Sequence, residues 1–135
     1  MTKHSIGGSF EVKLTPQSSS DAMTSAALGR LGIDKQFHGE LEAHSVGEML
    51  SALTDVPGSA GYVALEWVTG TLLGRHGSFV LQHSGTMTRG DGQLIVTVVP
   101  DSGTDALTGL TGRMDIHNEN GRHSYTFEFT LPDAT

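Results

Sequence analysis

The sequence predicts an all-β fold, a closed eight-stranded antiparallel up-and-down barrel. About eight segments alternate polar and apolar residues, short glycine-containing turns join nearly all of them, and helical periodicity is scarce. Strands joined by short turns pair with their neighbours, and closing such a sheet removes its exposed edges. A β-sandwich is the competing arrangement. We expect residues 1–135 to form one domain, large enough for a hydrophobic core.

Three strands are predicted in the first half of the chain, at residues 8–14, 28–39 and 40–53. In the first, apolar and charged residues alternate, which is typical of a half-buried strand. Residues 15–27 are polar and small, and predict a loop with a short helical turn that begins near Ser20 or Asp21. The end of the third segment, VGEMLSAL, also has a spacing compatible with a helix.

The second half is rich in β-branched and aromatic residues and predicts five strands, at residues 61–73, 78–88, 93–99, 113–117 and 122–131. Hairpin turns are predicted at Arg75-His76, Asp91-Gly92 and Asn120-Gly121. The last two have the composition of type I′ turns, in which both central residues adopt positive φ. Residues 100–112, rich in glycine, are expected to form a crossover against the barrel mouth.

These turn centres set the register of each hairpin and therefore the face on which each side chain lies. In the predicted register Val68 lies opposite His83 and Glu66 opposite Gly85, so that Glu66 and His83 are diagonal neighbours. One continuous inward face results: Tyr62, Ala64, Glu66, Val68, Leu72, Phe79, Leu81, His83, Met87, Leu94, Val96, Val98, Met114, Ile116, Tyr125, Phe127 and Phe129.

Glu66 and His83 are the candidate catalytic residues, because a carboxylate and an imidazole on an apolar wall need hydrogen bonds, water or a function. Burial raises the pKa of a carboxylic acid and a nearby imidazolium lowers it, so such a pair can work in acid–base chemistry. The structural alternative is a hydrogen-bonded pair that only fixes register. The expected ligand-binding wall consists of Phe79, Leu81, Met87, Tyr125 and Phe127.

The outward face is unusually apolar, with Val63, Leu65, Trp67, Val80, Ile95 and Val99. Either residues 15–27 or 40–53 partly cover it, or it is a subunit interface with Trp67 near its centre. Asp115 also lies outward in this register. A bulge that reversed either strand would bring Trp67 and Asp115 into the cavity as further ligand-binding residues, an aromatic wall and a carboxylate base.

Composition excludes several function classes. The net charge of −7 argues against nucleic acid as a partner, and the lack of cysteine excludes disulfides and thiolate chemistry. No apolar run of bilayer-spanning length and no ordinary secretory signal is visible, so we expect a cytoplasmic protein without a membrane partner. Neither the histidine spacing nor the glycine-rich loop matches a metal or phosphate motif, so we expect no metal and no cofactor.

Several segments resemble a family of small bacterial proteins of unknown function, over about residues 8–131: YVALE, GTLLGRHGSFVLQHSGTM, LIVTVVPDSGTDALTGLTGRMDI and HSYTFEFTLP. The stretch SGTDALTGLTG is similar to the GTGxFxGxxG signature of plant allene oxide cyclases and dirigent proteins. The resemblance implies an allene-oxide-cyclase-like barrel with a central cavity, often in oligomers, and by analogy isomerisation or cyclisation. Asp105 stands where the signature prefers glycine, and Leu53 and Trp67 are bulkier than the family pattern.

Together these observations predict a protein that binds a small, largely apolar molecule inside the barrel, with Glu66 and His83 as polar anchors. If it is an enzyme, we expect metal-free isomerisation or cyclisation, or a proton-transfer lyase reaction, with Glu66 as base or acid. One alternative is a non-catalytic homo-oligomeric module that uses the Trp67 face. Another is an altered barrel in which a carboxylate base beside an aromatic surface transfers protons.

Overall fold

The computed structural model describes residues 2–133 and shows a closed barrel of eight antiparallel strands, in which each strand pairs with the next and β8 pairs with β1. This confirms the predicted fold class. The strands are β1 Thr2–Pro16, β2 Leu28–Gly39, β3 Leu41–Leu53, β4 Ala60–Leu72, β5 Arg75–Thr88, β6 Asp91–Val98, β7 Thr111–Glu119 and β8 Arg122–Leu131. A short helix, α1 (Asp21–Ser25), and a 3-10 turn (Asp105–Leu107) are the helical elements of this part of the chain.

The first half of the chain folds close to expectation. The helical turn begins where its capping residue predicts, since the Ser20 side chain accepts a hydrogen bond from the Met23 backbone N–H at 3.2 Å. The segment VGEMLSAL continues β3 to Leu53 and is not helical. Paired on both sides, by β2 and β4, it satisfies its backbone hydrogen bonds within the barrel.

The first two predicted turn centres of the second half are wrong, and the third is correct. The positive φ values fall at Leu73-Gly74 and Arg89-Gly90, two residues earlier than predicted in each hairpin. Gly74 supplies a positive φ at low cost, whereas Arg75-His76 contains no glycine to do so. Glu66 therefore pairs with Leu81, not with Gly85, and the pairing is displaced by four residues. An even displacement keeps every side chain on its predicted face.

Much of the barrel interior is filled by its own side chains, which corrects the expectation of a hollow running through it. Four of the five residues expected to form a ligand wall, Phe79, Leu81, Tyr125 and Phe127, are buried in the core. Phe79 stacks on Phe127 with ring centroids 5.9 Å apart. From the crossover, Leu107 and Leu110 join the same packed core. The protein therefore has a packed end and an opposite end where Leu53, Met87 and Leu94 are exposed.

The crossover after β6 binds to β5 and leaves a weak junction between β6 and β7. The backbone N–H of Thr104 donates to the Ser78 carbonyl at 2.9 Å, and the Ser102 hydroxyl accepts from the Val80 N–H at 3.0 Å. β6 and β7 share a single residue pair, Thr97 with Arg113. Within the crossover Asp105 has φ of 52°, a left-handed conformation that glycine adopts at lower cost.

We expect Gly70→Ala to destabilise the barrel, because an added Cβ would lie 2.6 Å from Ala43 Cα and close to the Glu42 carbonyl. Overpacking against backbone predicts a loss of about 1–3 kcal/mol of unfolding free energy. The matched control is Gly92→Ala, where the added Cβ meets no heavy atom within 4 Å. Thermal unfolding followed by circular dichroism measures both, and equal Tm values for the two variants would contradict the observed packing of β3 on β4.

Candidate functional site

Four polar side chains from four neighbouring strands meet inside the barrel. Lys35 on β2, Ser45 on β3, Glu66 on β4 and His83 on β5 form what we call the polar cluster, with exposed fractions of 5, 0, 0 and 5 %. Each occupies an inward position in the two-residue alternation of its strand. Gly47, opposite Glu66, has no side chain, and an added Cβ would lie 2.7 Å from Glu66 Cα.

The Glu66 carboxylate is the acceptor at the centre of the polar cluster. Its Oε1 accepts hydrogen bonds from Lys35 Nζ at 3.0 Å and from His83 Nε2 at 2.7 Å. Its Oε2 accepts from Ser45 Oγ at 2.6 Å. Within residues 2–133 every buried side-chain nitrogen and oxygen has a hydrogen-bond partner. The cluster is therefore a fully satisfied buried network, which is the condition for burying charge in a barrel.

Opposing effects determine the ionisation of Glu66. Burial alone would raise its pKa above 4.5, but the hydrogen bond from His83, the positive charge of Lys35, the charge that His83 carries whenever it is protonated, and the Ser45 hydroxyl together lower its pKa to about 2. The Lys35 ammonium also lies 4.9 Å from the Phe10 ring centroid and 5.3 Å from that of Phe37. These rings shield the ion pair from water and attract the cation. Glu66 is therefore a carboxylate at neutral pH.

Tyr62 extends the polar cluster towards one end of the barrel. Its hydroxyl lies 3.4 Å from His83 Nδ1, while His83 Nε2 bonds to Glu66. Burial and the negative charge of Glu66 raise the pKa of Tyr62 above 10.0, so the phenol is protonated at neutral pH. Its ring covers Gly85, where an added Cβ would lie 2.9 Å from Tyr62 Cδ1. Gly85 is thus opposite Tyr62 and not, as predicted, opposite Glu66.

An open cavity of about 410 Å³ occupies the end of the barrel beyond Tyr62, and we call it the mouth cavity. Strands β3 to β6 and the residues around Leu53 and Ala60 form its walls. Tyr62 belongs to both the mouth cavity and the hydrogen-bonded chain that leads to Glu66, whereas neither Glu66 nor His83 lines the cavity. Its lining includes Met49, Ser51, Leu53, Ala60, Gly61, Tyr62, Gly85, Met87, Gln93 and Leu94.

The candidate site residues predicted from the sequence lie in separate parts of the barrel. Glu66 and His83 lie together in the polar cluster. Met87 lines the mouth cavity, whereas the other four expected wall residues belong to the packed core. Trp67 and Asp115 lie exposed on the outer face, so neither strand is reversed by a bulge, and neither residue approaches the polar cluster.

Lys35, Ser45 and Tyr62 belong to the site but are not among the candidate functional residues that the sequence predicts. Lys35 lies in phase with Ile33 and Phe37, both buried, so the alternation of β2 carried a signal for an inward charge. Ser45 likewise continues the inward phase of Leu41 and Ala43. Tyr62 was placed on the inward face, but its contact with His83 depends on the observed register.

The outer face of β3 to β6 is apolar and exposed at its centre, so residues 15–27 and 40–53, the alternative to a subunit interface, do not cover Trp67 and its neighbours. Val63, Leu65, Trp67 and Ile95 are 53, 54, 55 and 65 % exposed. Residues 41–53 are themselves a barrel strand, and they add the exposed Val46 to the same face.

Comparison with known proteins identifies the family. A family model described as "Protein of unknown function (DUF3224)" matches residues 6–129. The chain belongs to the DUF3224 family. It is also similar to a DUF3224 protein of unknown function from Shewanella oneidensis MR-1, known from a crystal structure, with 54 % identity and a TM-score of 0.92, covering 98 % of this chain and 100 % of that one. No curated protein matches the chain.

This membership agrees with the predicted resemblance to a bacterial family of unknown function, while the allene-oxide-cyclase-like subtype stays a prediction. Among residues 2–133, no three histidine, aspartate or glutamate side chains are arranged to hold a metal ion. In the same part of the chain, no helix combines the length and apolar character that crossing a membrane requires.

We expect acid to destabilise the folded protein through Glu66. Its pKa is about 2 when folded, against 4.5 as the ordinary value, so its contribution is fully present above pH 4.5 and is lost as the pH falls through about 2. The shift corresponds to a contribution on the order of 3 kcal/mol. Urea unfolding at a series of pH values measures the dependence.

The matched variant is Glu66→Gln, which keeps the shape but cannot ionise. It should be less stable at neutral pH, because Lys35 is left buried without its counter-charge. It should also lose the part of the acid dependence that Glu66 supplies. Identical slopes of stability against pH in both proteins would show that Glu66 is not the titrating group.

Proposed function

We propose that this protein binds a small, largely apolar molecule in the mouth cavity. The observation that carries the proposal is an open cavity of about 410 Å³ whose lining is mainly apolar and includes Tyr62, a tyrosine whose hydroxyl contacts a buried ionic network. Ligand sites are typically concave, mostly apolar and supplied with a few fixed polar groups. Its volume falls within the usual range of about 300–1,000 Å³.

The proposed location differs from the hollow interior that the sequence suggested. A ligand in the mouth cavity contacts Tyr62 and Met87, while Glu66 and His83 lie behind Tyr62. Glu66 and His83 are then positioning residues, which hold and polarise the tyrosine hydroxyl. An acid–base-assisted isomerisation or cyclisation, if this protein performs one, would reach the ligand through Tyr62.

Filling the mouth cavity should abolish binding. Ala60 lies inward at its rim, opposite Met87, so Ala60→Trp places an indole in the ligand volume. We expect the affinity for N-phenyl-1-naphthylamine, an uncharged apolar fluorophore, to fall at least about tenfold, since a loss of 1.4 kcal/mol already gives that factor. Fluorescence titration measures it.

Thr69→Trp is the control, because it adds the same side chain to the exposed face of the same strand, outside the mouth cavity. It should bind the fluorophore as the unmodified protein does. Equal affinity in all three proteins would mean that the ligand does not occupy the mouth cavity.

A second candidate function is assembly of identical subunits through the outer face. Val63, Leu65, Trp67 and Ile95 form an exposed apolar surface of the kind that marks interaction sites. The proposed occupant is a second copy of the chain, because an apolar face is complementary to itself across a two-fold axis. Trp67 would provide the central aromatic contact.

A charge at the centre of this face should prevent assembly. We expect Trp67→Lys to lower the mass measured by light scattering to that of one chain, whereas His117→Lys, on the exposed face of β7, should leave the mass unchanged. A single-chain mass for the unmodified protein at all concentrations would exclude this function.

A further inference from the structure

We propose that Tyr62, His83 and Glu66 form a proton relay that opens on the mouth cavity, and that its ligand is an apolar molecule bearing an acidic hydroxyl group, such as a phenol or an enol. This inference rests on the proposed function of the mouth cavity and names the class of ligand. It assigns to Tyr62 the contact with the ligand, and to the two buried residues the acceptance and stabilisation of a proton.

The Glu66 carboxylate determines which groups donate and which accept hydrogen bonds in the relay. Its carboxylate can only accept, so the 2.7 Å contact requires that His83 Nε2 carries a hydrogen. In a neutral imidazole the other nitrogen, Nδ1, is then an acceptor, and it lies 3.4 Å from the Tyr62 hydroxyl. Tyr62 therefore donates its hydrogen to His83. A lone pair on the tyrosine oxygen remains for the ligand, which must be a donor.

This polarity selects hydroxyl donors over carbonyl compounds. A carbonyl group could bind Tyr62 only by competing with His83 for the same hydrogen, whereas a hydroxyl group extends the chain by one more donor. Hydrogen bonds arranged in such a chain polarise one another. The mainly apolar lining of the mouth cavity favours an apolar body for the rest of the ligand.

The proton transfer balances without a further reactant. The ligand O–H bond breaks as its proton bonds to the Tyr62 oxygen, and the original tyrosine proton bonds to His83 Nδ1. The products are an imidazolium facing Glu66 and a ligand oxyanion that accepts a hydrogen bond from Tyr62. No electron pair leaves the ligand, so the step is neither a redox nor a group-transfer reaction.

The surrounding charges determine how acidic the hydroxyl must be. From β2, Lys35 already neutralises Glu66, and from β3 Ser45 adds a neutral donor. β6 contributes Val96, opposite His83, which is apolar. An imidazolium would therefore give the cluster a net positive charge, which the nearby ligand oxyanion offsets. An alkyl alcohol is too weak an acid to supply that anion, which restricts the class to phenols and enols.

The 3.4 Å separation of Tyr62 and His83 is longer than an ordinary O–H···N hydrogen bond. Acid–base pairs are often separated this far without ligand, and the contacts shorten once the ligand completes them. Tyr62 is half-buried, whereas His83 is nearly inaccessible. The tyrosine is therefore the only one of the three relay residues that lines the mouth cavity.

Two probes of nearly equal shape test the relay. 4-Nitrophenol carries the acidic hydroxyl, and its phenolate absorbs visible light, so that ionisation of the bound probe is read directly. 4-Nitroanisole replaces the hydroxyl hydrogen by a methyl group. Both are titrated into the folded protein by calorimetry, and the absorbance of bound 4-nitrophenol is followed against pH.

Tyr62→Phe is the test variant, because it removes one oxygen and keeps the ring that covers Gly85. Tyr125→Phe is its match, since the other tyrosine bonds to the His38 and Leu41 carbonyl oxygens and lies outside the mouth cavity. Near-ultraviolet circular dichroism verifies that both variants are folded.

In the unmodified protein and in Tyr125→Phe, we expect bound 4-nitrophenol to ionise at least about one pH unit below the free probe, a tenfold larger phenolate-to-phenol ratio at a given pH. Tyr62→Phe should lose this shift, and its binding of 4-nitroanisole, which has no hydroxyl hydrogen to donate, shows whether the mouth cavity is still formed. A purely structural tyrosine would alter stability without moving the ionisation of a bound probe.

Two results would overturn the proposal in distinguishable ways. If both probes bind but bound 4-nitrophenol has the same pKa as the free probe, the relay is wrong. The relay is also wrong if the pKa shift persists in Tyr62→Phe. In both cases the proposal that the mouth cavity binds ligands is unaffected. If neither probe binds, the proposed function fails and the relay fails with it.

Discussion

The arrangement of the barrel interior depends on one constraint, the charge of a carboxylate that water does not reach. A buried ion without partners costs several kcal/mol, so Glu66 requires donors from the strands around it. Lys35, Ser45 and His83 supply them from β2, β3 and β5. A one-residue slip of any of these strands would turn its donor outward and leave the carboxylate unmatched. The charge thereby specifies the register of half the barrel, and it also orients the imidazole towards Tyr62.

The same constraint divides the interior into three layers along the barrel. Aromatic packing fills one end, where the Phe37 and Tyr125 rings meet edge to face at 5.5 Å. The polar cluster lies in the middle, and the mouth cavity occupies the other end. The packed layer excludes water on one side of the ion pair, and Tyr62 separates the ion pair from the cavity on the other. Hydrogen bonds through His83 and Tyr62 thus connect the Glu66 carboxylate to the open end of the barrel.

How far the sequence predicts this structure depends on the physics of each feature. The inward and outward faces follow from the two-residue alternation of a strand. They were predicted correctly despite the wrong turn centres, because the strand pairing was displaced by an even number of residues in each hairpin. The prediction of a turn at Asp91-Gly92 was wrong because this pair has the composition that type I′ turns favour, yet the turn forms one pair earlier. There Arg89 and Gly90 adopt positive φ. The meeting of Glu66 and His83 followed from the faces. The filling of the barrel interior does not follow from the faces. It depends on how side chains from all eight strands and the crossover pack together in the same interior space.

The junction between β6 and β7 has a mechanical consequence. A closed barrel is least stiff where strand pairing is sparsest. β6 and β7 share one residue pair, whereas β5 and β6 share eight and β7 and β8 share nine. Local opening fluctuations concentrate where backbone pairing is sparse. Because β6 also carries Gln93 and Leu94, which line the mouth cavity, opening at this join would move part of the cavity wall. Strands β2 to β5, which carry the polar cluster, are paired over ten or more residues each and would keep their arrangement during such a movement.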